Sequence, residues 1–209
     1  MSATSGANGA GTTSRILDVA ERMLQVRGYN GFSYGDVAAE LDITRAALHY
    51  HFKGKAELGQ ALIERYAARF ADALAHLDAT APDAAAKLRG YADLYTDVLS
   101  ADRMCLCGML AAEHRTLPDP LQQAVCAFFA SNTAWLRRVL EEGCADGSLR
   151  CPGTPEDTAS MVLGALEGAM LITRLDGDVA RFTATANQLL AGLSPVPVRD
   201  TGTPPSPRC

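Results

Sequence analysis

Residues Phe32 to Leu58 read FSYGDVAAELDITRAALHYHFKGKAEL, and this stretch decides the fold. Ser33 followed by Asp36 is a Ser-x-x-Asp capping pattern, which predicts a helix start. Val37 and Leu41 then fall on one face of that short helix. Asp42-Ile43 forms a tight turn, and Thr44 caps the next helix, Arg45 to His51. Leu48 and Phe52 are spaced as its inward anchors, and Lys55 opens a further, longer helix. Two short helices joined in this way, followed by a basic and aromatic patch, read as a helix-turn-helix whose second helix enters the major groove of DNA.

The outward residues of that second helix fit the task. A recognition helix needs small or hydrogen-bonding side chains at the groove floor. Arg45 matches guanine O6 and N7 in a bidentate way, while Ala46 and Ala47 permit close approach and contact with a thymine methyl. Thr44, Tyr50, His51 and Lys55 suit phosphate contacts, which fix register without reading sequence. Ser33 and Tyr34, at the preceding helix start, are expected to hold another phosphate. His49 completes the expected DNA-facing set.

Outward from this segment the chain reads as all-α. Alanine and leucine dominate, β-branched residues rarely cluster, and 48% of the 209 residues are hydrophobic. About nine helices are expected. The first runs from about Ser14 to Arg27 and stops at Gly28. The fourth starts at Lys55 and, if it reaches Leu77, spans roughly 34 Å, long enough to join two domains. The fifth starts at Pro82, a short sixth lies near Arg103 to His114, and a long seventh follows Pro118 and ends at Gly147. Thr154-Pro155-Glu156-Asp157 starts an eighth helix to about Leu175, and Asp178 starts a ninth. Residues 1–13 are expected to form a disordered arm, 14–58 the helix-turn-helix domain, 59–193 a second helical domain, and 194–209 a proline-rich loose tail.

Charge is uneven. The net charge is −5, yet Ser14 to Ala56 holds six basic residues (Arg15, Arg22, Arg27, Arg45, Lys53, Lys55) against five acidic ones. An acidic body with a near-neutral head suits local DNA contact without indiscriminate sticking. No secretory signal and no membrane-length apolar run is expected, so the location is expected to be cytoplasmic, with reduced cysteines. No metal or cofactor motif stands out.

The residues Ile16-Leu17, Ala20, Gly28, Phe32-Ser33, Asp36-Val37-Ala38, Leu41-Asp42-Ile43-Thr44, Leu48-His49-Tyr50-His51-Phe52, Lys55 and Leu58 resemble the DNA-binding region of the TetR/AcrR family of bacterial regulators. Two positions depart from the family pattern: Asp42 stands where glycine is usual, and His49 where tyrosine is usual. The resemblance implies a homodimer through the last two long helices, about 155–175 and 178–192, reading a near-palindromic double-stranded DNA operator. Ala159, Gly164, Ala165, Gly168 and Ala169 would allow close helix approach, with Met161, Val162, Leu166, Met170 and Ile172 as apolar area. It also implies a small-molecule effector held by the middle helices, and most often repression.

Met104, Cys105, Met109, Phe128, Asn132 and Trp135 are expected at an effector pocket, although such residues at helical spacing also read as plain core. Cys105 and Cys107 form a possible redox trigger, an alternative to an apolar or amphipathic effector; buried inert thiols are the simpler reading. Glu113-His114 reads as a pocket pair or a solvated helix end, and Glu167 as a dimer seam or an exposed edge. A small helical enzyme or a protein-interaction module without DNA binding is the alternative of another class. No nucleophile–base pair or phosphate loop supports the enzyme.

Overall fold

The structure, a computed structural model, describes residues 5–150 and 152–195, and their side chains from residue 11 onward. Among the described residues, nine α-helices and one 3-10 turn make up the regular structure: α1 Ser5–Arg27, α2 Tyr34–Glu40, α3 Arg45–His51, α4 Lys55–Thr80, α5 Ala84–Ser100, α6 Leu106–Ala112, the 3-10 turn His114–Thr116, α7 Asp119–Asp146, α8 Pro155–Thr173 and α9 Val179–Ala191.

Most helix starts follow the caps in the sequence. Thr44, Asp83, Thr154 and Asp178 each accept a backbone N–H at the N-terminus of their helix. Helices α4 and α7 start without a side-chain cap, and at α6 Cys105 supplies the cap through its sulfur, 3.3 Å from the Gly108 amide. The sixth helix is therefore shorter than expected, and residues 103–105 form a connection that packs against α1. The N-terminus also differs. Residues 5–13, expected as a loose arm, extend α1. Once a helix is nucleated by a packed segment, each added turn costs little, and Thr13 Oγ1 lies 2.9 Å from His51 Nδ1. Residues 1–4, and most of the tail expected from residue 194, lie outside the described residues.

The head consists of α1, α2 and α3, closed over Ile16, Ala20, Leu24, Val37 and Leu48, all essentially inaccessible. Helix α4 begins in this core through Leu58 and Leu62 and continues into the body. Its 26 residues span roughly 39 Å. In the body, α7 packs against α4, α5 and α8, and α9 packs against α5 and α8. Aromatic rings fill its centre: Tyr91 stacks on Trp135 at 5.6 Å between centroids, and Phe70 meets Tyr91, Tyr95 and Phe128 edge-on.

Helix α8 has two apolar faces. Val162, Leu166 and Met170, expected at the dimer seam, are buried within the subunit instead. Met161, Leu171, Ile172 and Leu175 remain exposed, and an added Cβ at Gly164 or Gly168 would meet open space. These positions recur at three- and four-residue spacing, so they form one bare stripe.

Candidate nucleic-acid interface and its link to the body

The ten residues expected to face DNA divide into two sets. Arg45, Ala46, Ala47, His49 and Tyr50 are exposed on one side of α3, with Leu48 and Phe52 buried on the other. Tyr50 is 86% exposed, the most open large apolar ring of the described chain. This face combines a guanidinium, two methyl-sized residues and two flat polar rings, a set that fits a major groove. Arg45 folds back over the first turn of α2. A Cβ on Gly35 would stand 2.6 Å from its Nη2, so glycine there leaves room for the guanidinium.

The other five also bond within the head, although Ser33 and Thr44 are exposed; His51 is half-buried beside Thr13. Ser33 and Asp36 form a reciprocal capping box: Asp36 N donates to Ser33 Oγ at 3.1 Å, and Ser33 N donates to Asp36 Oδ2 at 2.6 Å. Those bonds hold the Asp36 carboxyl below its usual range. Thr44 Oγ1 accepts from Ala47 N at 3.0 Å. The Tyr34 hydroxyl donates to the Phe52 carbonyl, tying the start of α2 to the end of α3. Burial, with the nearby Glu57 carboxylate, raises its pKa. Lys55 Nζ donates to the Phe32 carbonyl at 2.5 Å and lies 4.4 and 4.5 Å from the ring centroids of Tyr29 and Phe32. Burial lowers the Lys55 pKa against the opposing pull of Glu113 and Asp36. The Tyr34 and Lys55 side chains thus brace the head from within, which was not expected of them. Asp42 takes a left-handed φ of 53° between α2 and α3, the conformation for which glycine is the easier residue.

The body grips the head through contacts that no local pattern announces. Glu113, at the C-terminus of α6, accepts the Tyr29 amide at 2.6 Å and the Asn30 amide at 3.3 Å. Its carboxylate sits against Gly28, whose φ of 82° ends α1. Glu113 is thus neither a pocket residue nor a solvated helix end. Gln25 is tied to Met104 twice: Gln25 Nε2 donates to the Met104 carbonyl at 3.1 Å, and Met104 N donates to the Gln25 carbonyl at 3.3 Å. Glu21, 5% exposed, pairs with Arg65 at 2.7 Å and with Arg69, both on α4. Arg174, just past α8, donates to the Val26 carbonyl.

The six residues expected around an effector do not line a common cavity. Met104 borders a cleft between head and body, whereas Phe128 and Asn132 border a groove between α4 and α7. Asn132, 2% exposed, accepts from Tyr91 Oη at 3.2 Å and donates to the Phe128 carbonyl at 2.9 Å. Trp135 Nε1 donates to Asp78 at 3.0 Å, and Met109 Sδ lies 2.9 Å from Arg174. Cys105 and Cys107 are buried, and burial with the nearby Glu167 carboxylate pushes both thiols well up. Reactive thiols need the opposite shift. Cys144 is disulfide-bonded, against the expectation of reduced cysteines, and Cys105, Cys107 and Cys126 are free thiols. Glu167 lies inside the body, facing Cys105 and Tyr95. Its Oε2 fills the space that a side chain on Gly108 would occupy. No group of His, Cys, Asp and Glu among the described residues has metal-site geometry, and no described helix is long and apolar enough to cross a membrane.

Comparison with known proteins agrees with this arrangement. The family model "Bacterial regulatory proteins, tetR family" matches residues 16–62, and "Tetracyclin repressor-like, C-terminal domain" matches residues 84–189. Among curated relatives, the HTH-type transcriptional repressor DhaR of Mycobacterium sp. (strain GP1) is 23% identical over 77% of this chain and 81% of its own. The transcriptional regulator AcuR of Cereibacter sphaeroides is 29% identical over 73% of this chain and 72% of its own. A TetR-family transcriptional regulator from Agrobacterium tumefaciens superposes with a TM-score of 0.86 at 32% identity, covering 90% of this chain and all of that one.

Proposed function

The chain belongs to the TetR family of DNA-binding transcription regulators, and from that premise we propose that it is a homodimeric repressor released from a near-palindromic operator by a small amphipathic effector. It is not an enzyme; its family works by binding DNA. The observation that carries the reading is the bare face of α3, where Arg45, Ala46, Ala47, His49 and Tyr50 stand exposed on a helix anchored by Leu48 and Phe52. Arg45 reads a base, and Ser33, Thr44 and His51 add phosphate contacts around it. In the cytoplasm, the exposed stripe of α8 pairs with a second copy, and two-fold symmetry sets the spacing of the two recognition helices. Repression agrees with the name of the Mycobacterium relative.

Release follows from the grip of body on head. Glu113 and Gln25 hold the end of α1, and Glu21 holds α4. An effector that binds one arrangement of α4 and α6 more tightly than another shifts the spacing of the recognition helices, by no more than its differential affinity. An amphipathic effector suits the groove between α4 and α7, where Phe70, Leu74 and Phe128 lie beside Ser131 and Asn132. The test is selection of bound DNA from a random pool, with the stoichiometry of the complex. The expected result is an inverted repeat bound by two chains. A non-repeating site bound by a single chain contradicts the proposal.

A further inference from the structure

Between the end of α1, the α5–α6 connection and the α8–α9 junction lies a cleft of about 370 Å³, within the size range of small-molecule sites, roughly 300–1,000 Å³. It is distinct from the aromatic centre of the body. Two of its lining residues carry buried polar atoms with no hydrogen-bond partner among the described residues: Gln25 Oε1 and Thr173 Oγ1. Gln25 is 3% exposed and Thr173 is 1% exposed, so both belong to the wall of the cleft and not to the open surface. An unmet buried acceptor or hydroxyl costs about 1–3 kcal/mol, and a ligand bonding to both would recover that loss.

Cationic and apolar groups complete the site. Arg103 lines the cleft and makes no ion pair among the described residues, although the neighbouring arginines Arg65 and Arg69 are both paired with Glu21. Arg174, at the opposite wall, is already held by Val26 and Met109. Leu99 and Met104 give an apolar floor. Asp102 at the rim keeps the local charge low, which favours a monoanion over a dianion.

We propose that this head–body cleft binds a small monocarboxylate that also carries a hydrogen-bond donor, its carboxylate on Arg103 and its donor on Gln25 Oε1 and Thr173. Gln25 belongs to the DNA-binding head, and Arg103 and Thr173 belong to the body. A ligand touching all three therefore holds one head–body angle and changes operator affinity. That regulatory consequence rests on the operator reading above; the binding itself does not.

The probe is 4-hydroxybenzoate, titrated by calorimetry into the DNA-free full-length protein. The expected result is saturable binding, weakened roughly 10- to 100-fold by Arg103→Ala and by Thr173→Val. Benzoate, lacking the donor, and 4-hydroxybenzamide, lacking the charge, should each bind about tenfold more weakly or worse. Circular dichroism confirms that the variants fold, and Arg115→Ala, outside the cleft, serves as a control that leaves binding unchanged. No binding of 4-hydroxybenzoate at millimolar concentration overturns the proposal, as does binding indifferent to Arg103→Ala or matched by inorganic phosphate. In a second arm, the ligand is added to the protein–operator complex. A change in affinity of about fivefold or more supports regulation, and an unchanged affinity overturns the regulatory half while leaving the site. Because the first arm contains no DNA, failure of the site and failure of the operator reading are told apart.

Discussion

The head and the body use their polar side chains in different ways. In the head, the hydrogen bonds that start the short helices are close in sequence: Ser33 with Asp36 and Thr44 with Ala47, each three residues apart, and Lys53 with Glu57, four apart; the longer ones, Tyr34 to Phe52 across 18 residues and Lys55 to Phe32 across 23, stay within the head. They are complete within each helix start, and they leave the outer face of α3 free for another molecule. In the body and at its junction with the head, the bonds are long: Tyr91 to Asn132 across 41 residues, Trp135 to Asp78 across 57, and Tyr29 to Glu113 across 84. Local bonds build a unit that works as a rigid reader. Distant bonds tie elements far apart in the sequence into one network.

The contrast can be broken at its strongest point first. Leu48→Ala empties the anchor on which the reading face stands. It is expected to cost about 2–5 kcal/mol in urea unfolding, and a loss below about 1 kcal/mol would mean that α3 is not held by this core. In the body, Asn132→Ala leaves the Tyr91 hydroxyl with one partner fewer and should cost about 1–3 kcal/mol. Because the network is shared, a double-mutant cycle with Tyr95→Phe should be non-additive. Additive losses would show independent bonds instead.

The difference also explains what could be read in advance. Caps, anchors and the turn depend on residues three to eight apart, so the fold class, the helix starts and the exposed side of α3 are visible in the sequence. The departure at Asp42 is legible too, since a turn that usually takes glycine predicts its positive φ. The bonds of Tyr34 and Lys55 to the carbonyls of Phe52 and Phe32 are not legible, because those partners are backbone atoms with no sequence signature. Glu113 gripping the amides of Tyr29 and Asn30 and Glu167 turning inward toward Cys105 depend on the packing of distant helices. The same is true of the cleft beside Gln25. Polar residues on otherwise apolar helices were noticeable at Asn132 and Glu167, but their partners were not.

Smaller effects sharpen the head side of the comparison. Thr44→Ala removes a single cap and should cost about 1 kcal/mol by thermal unfolding; no loss would show that the cap is dispensable. Asp42→Gly should gain up to about 1 kcal/mol by relieving the left-handed backbone. A loss of stability there would mean that the Asp42 side chain supplies a contact larger than the strain.

The central claim is that the exposed face of α3 reads DNA while the rest of the chain holds and moves it. Fluorescence anisotropy on the selected operator, across a range of salt concentrations, compares the wild type with Arg45→Ala. The account predicts binding about 10- to 100-fold weaker for the variant, unchanged thermal unfolding, and wild-type affinity that falls steeply as salt rises. Variant binding within twofold of wild type, or affinity indifferent to salt, would contradict it.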